Sequence, residues 1–159
     1  MATPRTKNLL PALALALCNI AQAQADQSPD MELLTGDTRL ACEAILCLST
    51  GERPSECQPA IRRYFSIVRR TLGKTLGARR DFLNQCPTAN EDGYTRQLVN
   101  ALVDGSGRCD AAALNGRGWM PAGGDNGYYI SNAMPASCQA YYDNAGLDVG
   151  SLRPTYAGT

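Results

Sequence analysis

The sequence predicts a mostly α fold, a small disulfide-linked helical bundle with one long Gly-rich loop, on three observations. Apolar residues recur at helical spacing in several segments, six cysteines follow an export-like leader, and glycines crowd residues 116–127. Of the 159 residues, the first 25 read as a signal peptide, which leaves about 134, one domain's length. With 15 glycines, 9 prolines and 6% aromatics, the core of such a chain is modest, so crosslinks should share in holding it.

Met1 to Lys7 carries two positive charges and no acid, Leu9 to Ala21 is apolar except for Asn19, and residues 21–25 alternate alanine with glutamine. This three-part pattern is that of a secretory signal, and its run of about 13 apolar residues is short of the roughly 20 that span a bilayer. Cleavage is expected after Ala25, with Ala23 as the other fitting site. Lipoprotein processing at Cys18 is the weaker reading, because Leu17 stands where a small residue is normally required. The expected organisation is a signal peptide at 1–25, a helical disulfide domain at 26–145 and a flexible C-terminal tail at 146–159. A periplasmic location follows from export.

The elements can be justified in order. Residues 26–35 read as a polar arm ending in a Met31-Glu32-Leu33-Leu34 patch. Asp37 then looks like an N-cap, followed by Leu40, Ala41, Ala44, Ile45 and Leu48 at helical spacing. Pro59 suits the first turn of a second helix, whose stripe runs Ile61, Tyr64, Phe65, Val68 and Leu72. Gly73 to Gly77 reads as a flexible break, after which a third helix runs from about Ala78 to Cys86, stopped by Pro87. A fourth begins at Asp92, carries Tyr94, Leu98, Leu102 and Val103, and ends at Gly105-Ser106-Gly107. Cys109 to Leu114 is expected to make a helical turn, Gly116 to Gly127 an irregular loop, Tyr128 to Ile130 a short strand, and Pro135 to Ala145 a last helix. Trp119, Met120, Tyr128 and Tyr129 are expected to tuck the loop against the core rather than form a binding patch.

Loss of the leader removes Cys18 and leaves an even set: Cys42, Cys47, Cys57, Cys86, Cys109 and Cys138. In an exported chain such a set reads as a disulfide framework, and the absence of both histidine and Cys-x-x-Cys argues against a metal site. Six cysteines allow 15 pairings, among which sequence alone does not choose. On a helix, Cys42 and Cys47 point about 140° apart and cannot bridge each other. Cys47 and Cys57 flank a turn that can close locally. The expected set is Cys47–Cys57, Cys42–Cys86 and Cys109–Cys138, with the others open.

The lack of histidine removes imidazole metal sites and the common histidine-dependent catalytic arrangements. An enzyme would have to use carboxylates, such as Glu43 with Asp81 or Glu91, a cysteine, a tyrosine or Lys74, and no substrate-binding pattern surrounds Glu43. No catalytic residue, metal or cofactor is therefore expected. Fifteen basic and fifteen acidic residues balance in the full chain, and loss of Arg5 and Lys7 leaves a mature net charge of −2, which disfavours nucleic acid as a partner. The strongest local charge feature is six arginines and Lys74 between residues 62 and 80. Within it, Arg62, Arg63, Arg69 and Arg70 are expected to face away from the apolar stripe and to form a partner-binding surface.

The block Leu34–Gly51 (LTGDTRLACEAILCLSTG), continuing through Arg53-Pro-Ser-Glu-Cys57 to Ile61-Arg-Arg-Tyr-Phe-Ser-Ile67, resembles the TrbM family of conjugal transfer proteins. Asp81–Pro87 (DFLNQCP) is similar to a further segment of that family. The resemblance implies an exported accessory component of a plasmid type IV secretion, or mating-pair formation, apparatus. Its partners would be protein components of the channel or conjugative pilus, with peripheral envelope association a further expectation. The competing readings are a peptidoglycan-modifying enzyme that assists channel assembly and an envelope-perturbing, toxin-like protein.

Overall fold

The computed structural model describes residues 34–122 and 127–157. The expected leader, Cys18 and residues 26–33 of the arm lie outside them. Among the described residues, six α-helices and one hairpin follow in order: α1 Gly36–Ser49, α2 Gln58–Ser66, α3 Leu72–Leu83, α4 Gly93–Gly105, α5 Ala111–Arg117, β1 Trp119–Pro121, β2 Tyr128–Ile130 and α6 Ala136–Tyr142. The class is mostly α, small and disulfide-rich, as the sequence predicts.

Helix α1 is central and packs on α2, α3 and α4. Ala41 and Ala44 are fully buried together with Leu48, and such short side chains let neighbouring helices approach closely. Asp37 is not the N-cap. Thr35 holds that position without a side-chain cap bond, and Gly36 enters the helix at φ 58°, in the left-handed region glycine tolerates. Asp37 instead sits in the first turn, where a carboxylate meets the positive end of the helix dipole.

The expected second stripe is divided. Helix α2 stops at Ser66 because Ile67 adopts an extended backbone, and Ile67 itself is buried. Thr71 then caps a new helix, its hydroxyl accepting from the Lys74 N–H at 3.4 Å. Gly73 and Gly77 consequently lie inside α3 rather than in a flexible break. Val68 and Leu72, read as core from their spacing, are 66% and 55% exposed, since the chain turns between them.

Asp92 does cap α4, forming a reciprocal capping box in which its carboxylate accepts from the Thr95 N–H at 2.7 Å. Those bonds hold the Asp92 carboxyl below its ordinary value. Asp110 caps α5 by accepting from Ala113 N–H at 2.8 Å. Helix α6 packs on α4, and its Tyr142 hydroxyl donates to the Cys109 carbonyl at 2.9 Å.

Three disulfides join Cys42 to Cys86, Cys47 to Cys57 and Cys109 to Cys138, the set expected above. They link α1 to the segment just after α3, α1 to the turn before α2, and the connection between α4 and α5 to α6. The segment from Gly146 onward is not a frayed tail over its first residues. Asp148 pairs with Thr50, accepts from Gly51 N–H at 2.9 Å and donates to the Ser49 carbonyl at 2.7 Å, while Val149 is 1% exposed. A buried valine and a bridge to the end of α1 explain its order. The glycine-rich loop also differs from expectation, because β1 and β2 form a hairpin with Trp119 opposite Ile130 and Met120 opposite Tyr129. Its large apolar side chains are not tucked against the core: Trp119, Met120, Tyr128 and Tyr129 are all exposed.

Candidate functional site

The arginine-rich stretch resolves into residues turned inward and residues turned outward. On α2, Tyr64 is fully buried and lies edge-on to Phe65, with ring centroids 5.1 Å apart. The Arg79 guanidinium of α3 stacks over both rings, 4.9 Å from Tyr64 and 5.2 Å from Phe65. Burial pushes the Tyr64 hydroxyl up to about 12, against the partial opposition of the Arg79 charge. Arg79 therefore ties α3 to α2, with one guanidinium nitrogen donating to the Phe65 carbonyl at 3.4 Å.

Arg63 is also turned inward. Its guanidinium donates two bonds to the Asp37 carboxylate, at 2.9 and 2.6 Å, and lies 5.1 Å from the centre of the Phe82 ring. This fork geometry holds the Asp37 carboxyl below its ordinary value, chiefly through the hydrogen bonds. Arg63 thus clamps α1, α2 and α3, with Nε and one terminal nitrogen committed to Asp37, so it is half-buried where Arg62 is exposed. Arg80 donates to Asn100 at 2.9 Å and lies 4.0 Å from Asp104 on α4.

Arg62, Arg69 and Arg70 are exposed, and no carboxylate lies within ion-pair distance of them among the described residues. Arg62 is on α2; Arg69 and Arg70 are on the linker to α3, so the three do not share one helix face. The linker is nevertheless fixed from beneath. Buried Thr75 accepts from Arg69 N–H at 2.9 Å and its hydroxyl approaches the Thr71 carbonyl at 3.1 Å. The result is a pinned knuckle on which exposed Val68 and Leu72 flank two arginines. Mixed apolar and guanidinium groups of this kind suit protein contact better than catalysis.

Sequence reasoning missed Thr75, which is a helix residue of no evident pattern until its hydroxyl is seen under the linker. It also missed Val68 and Leu72 as surface groups, because spacing alone cannot register a helix break. Glu43 accepts from Arg39 at 2.6 Å as an ordinary pair one helical turn apart, with no acid–base partner assigned to it. Among the described residues, no group of three or more cysteines or carboxylates is placed to hold a metal ion.

No curated protein and no solved structure matches the chain. The family model TrbM matches residues 33–159, which takes in all six bridged cysteines, the arginine knuckle and the hairpin. With that extent of match, the chain belongs to the TrbM family of conjugal transfer proteins.

Proposed function

We propose that this protein is an exported accessory component of a plasmid type IV secretion, or mating-pair formation, apparatus and that it acts in the periplasm by docking a protein partner. Family membership in conjugal transfer supports the setting. Three disulfides fit an oxidising compartment. The observation that carries the docking reading is the exposure of Arg62, Arg69 and Arg70, none within ion-pair distance of a carboxylate among the described residues, with Arg69 and Arg70 on a pinned linker between exposed Val68 and Leu72. Such a surface suits an acidic, partly apolar face on a channel or pilus subunit.

The test is export of the chain beside the secretion components, crosslinking, and identification of captured proteins by mass spectrometry. Capture of a channel or pilus subunit is expected, and it should be lost in an Arg62→Glu, Arg69→Glu, Arg70→Glu triple variant that keeps its disulfides and melting temperature. Undiminished capture and transfer support by that variant would remove this surface from the mechanism. Release of muropeptides by the purified wild type, lost on Glu43→Gln, would favour the peptidoglycan-modifying alternative instead.

A further inference from the structure

The β1–β2 hairpin carries a second surface, independent of the arginines. The Gly118 carbonyl accepts from Ser131 N–H at 3.0 Å, and the Gly127 carbonyl accepts from Ala122 N–H at 2.9 Å. In an antiparallel ladder, hydrogen-bonded pairs alternate with pairs whose N–H and C=O groups point outward. The outward pairs here are Trp119 with Ile130 and Pro121 with Tyr128. Along the outer edge of β2, the N–H and C=O groups of Tyr128 and Ile130 find no partner among the described residues. The outer edge of β1 is different, because Pro121 has no N–H to offer.

A two-stranded ribbon this short is marginal in water unless something completes it. Beside it lies an open cleft of about 660 Å³, bounded by β2, α5 and residues 154–157. Four successive residues, Tyr128 to Ser131, line it together with Gly118 and Trp119, so the cleft lies against the hairpin over the length of β2. Trp119 and Tyr128, 58% and 69% exposed, stand edge to face in its wall, with Tyr156 contributed by the C-terminal segment. Among the described residues the one charged lining residue is Arg117, an exposed side chain whose guanidinium donates to the Ala113 and Arg108 carbonyls and meets no carboxylate of theirs. Tryptophan, tyrosine and arginine, without lysine or acid among the described lining residues, is the composition of a protein-interface centre.

We propose that the outer edge of β2 accepts an extended segment of a partner protein as a third strand. Its apolar side chains, at alternate positions, enter the cleft, and an acidic group on it meets Arg117. A carboxylate is called for because the cleft presents a cation and, among the described residues, no anion.

The experiment uses the mature, oxidised chain and a phage-displayed library of random ten-residue peptides, followed by calorimetry and amide hydrogen exchange with the selected peptides. Selection should converge on sequences that alternate apolar residues and carry at least one Asp or Glu, and binding should protect the amides of Tyr128 and Ile130. Ile130→Pro deletes an outward donor without removing a bond to β1, and Arg117→Gln removes the charge. Each should weaken binding at least 10-fold. Exchange protection in the wild-type chain tests the edge even if a variant misfolds. Failure of selection to converge, or binding that leaves both amides unprotected, would overturn the proposal. Self-association in sedimentation with the same two amides protected would overturn it in favour of a second copy of this chain.

Discussion

Gly105, the last residue of α4, lies directly against the side chain of Tyr141 on α6: a Cβ added at Gly105 would clash with the ring and stand 2.6 Å from the Tyr141 Cβ. Helices α4 and α6 therefore meet at a point where one of them has no side chain. Gly105→Ala should destabilise the domain by about 1–3 kcal/mol through overpacking, where the same change at Gly73, with open space around it, should be neutral or stabilising. Urea unfolding of the two variants checks the contrast.

The three disulfides should differ in value. Closed-loop entropy scales with the residues enclosed, and separations of 44, 29 and 10 correspond to about 4.0, 3.6 and 2.7 kcal/mol for Cys42–Cys86, Cys109–Cys138 and Cys47–Cys57. Paired Cys→Ser replacement of Cys42 and Cys86 should be the most damaging, because it frees the longest loop, all six cysteines being buried. Denaturation midpoints of the three double variants give the order.

Two neighbouring arginines on α2 should behave oppositely. Arg63→Met removes the fork to Asp37 and should lower the melting temperature, whereas Arg62→Met should leave stability within about 0.5 kcal/mol. Calorimetry separates them. Charge reversal at Arg62 remains the informative change for docking.

Stability should depend on pH at both extremes. Asp37 and Asp92 have folded values below the ordinary 3.8, so their contributions are full above that value and are lost as pH falls through the depressed ones. Tyr64 is the reverse case. Its folded value, about 12, exceeds the ordinary 10.0, so stability is complete below pH 10 and declines as pH rises toward 12, by about 2–3 kcal/mol over that window. Guanidinium titrations at pH 8, 10 and 11 should show the decline in the wild type and a smaller one in Tyr64→Phe.

Truncation after Gly146 should cost stability rather than shed an idle tail. It removes buried Val149 and the bridge from Asp148 to Thr50, losses worth about 2–4 kcal/mol together. A melting curve of the shortened chain is the check.

Where the fold was legible, local chemistry and periodicity agreed. Asp92, the run Leu98 to Val103 and the stop at Gly105 identify α4 because cap, stripe and terminator all lie within one segment. The α2–α3 boundary was not legible, since Val68 and Leu72 continue the apolar spacing of Tyr64 while the chain turns at Ile67. Asp37 suits a cap by type, and only the position of Arg63, 26 residues later, shows what its carboxylate holds. The same holds for the knuckle, whose support by Thr75 is a contact between segments with no linear trace.

By itself the sequence determined the helical class, the spacing of the six cysteines from Cys42 to Cys138 and the absence of imidazole chemistry, because these depend on residue type and short-range spacing. Tertiary structure decided which arginines are spent within the fold and which face solvent, and that the aromatic residues of the glycine-rich loop stand exposed on a hairpin. The physical reason is common to both. A charge or an aromatic ring is neutral as to its use until another segment either supplies a carboxylate, a ring face or a buried wall, or leaves it to water.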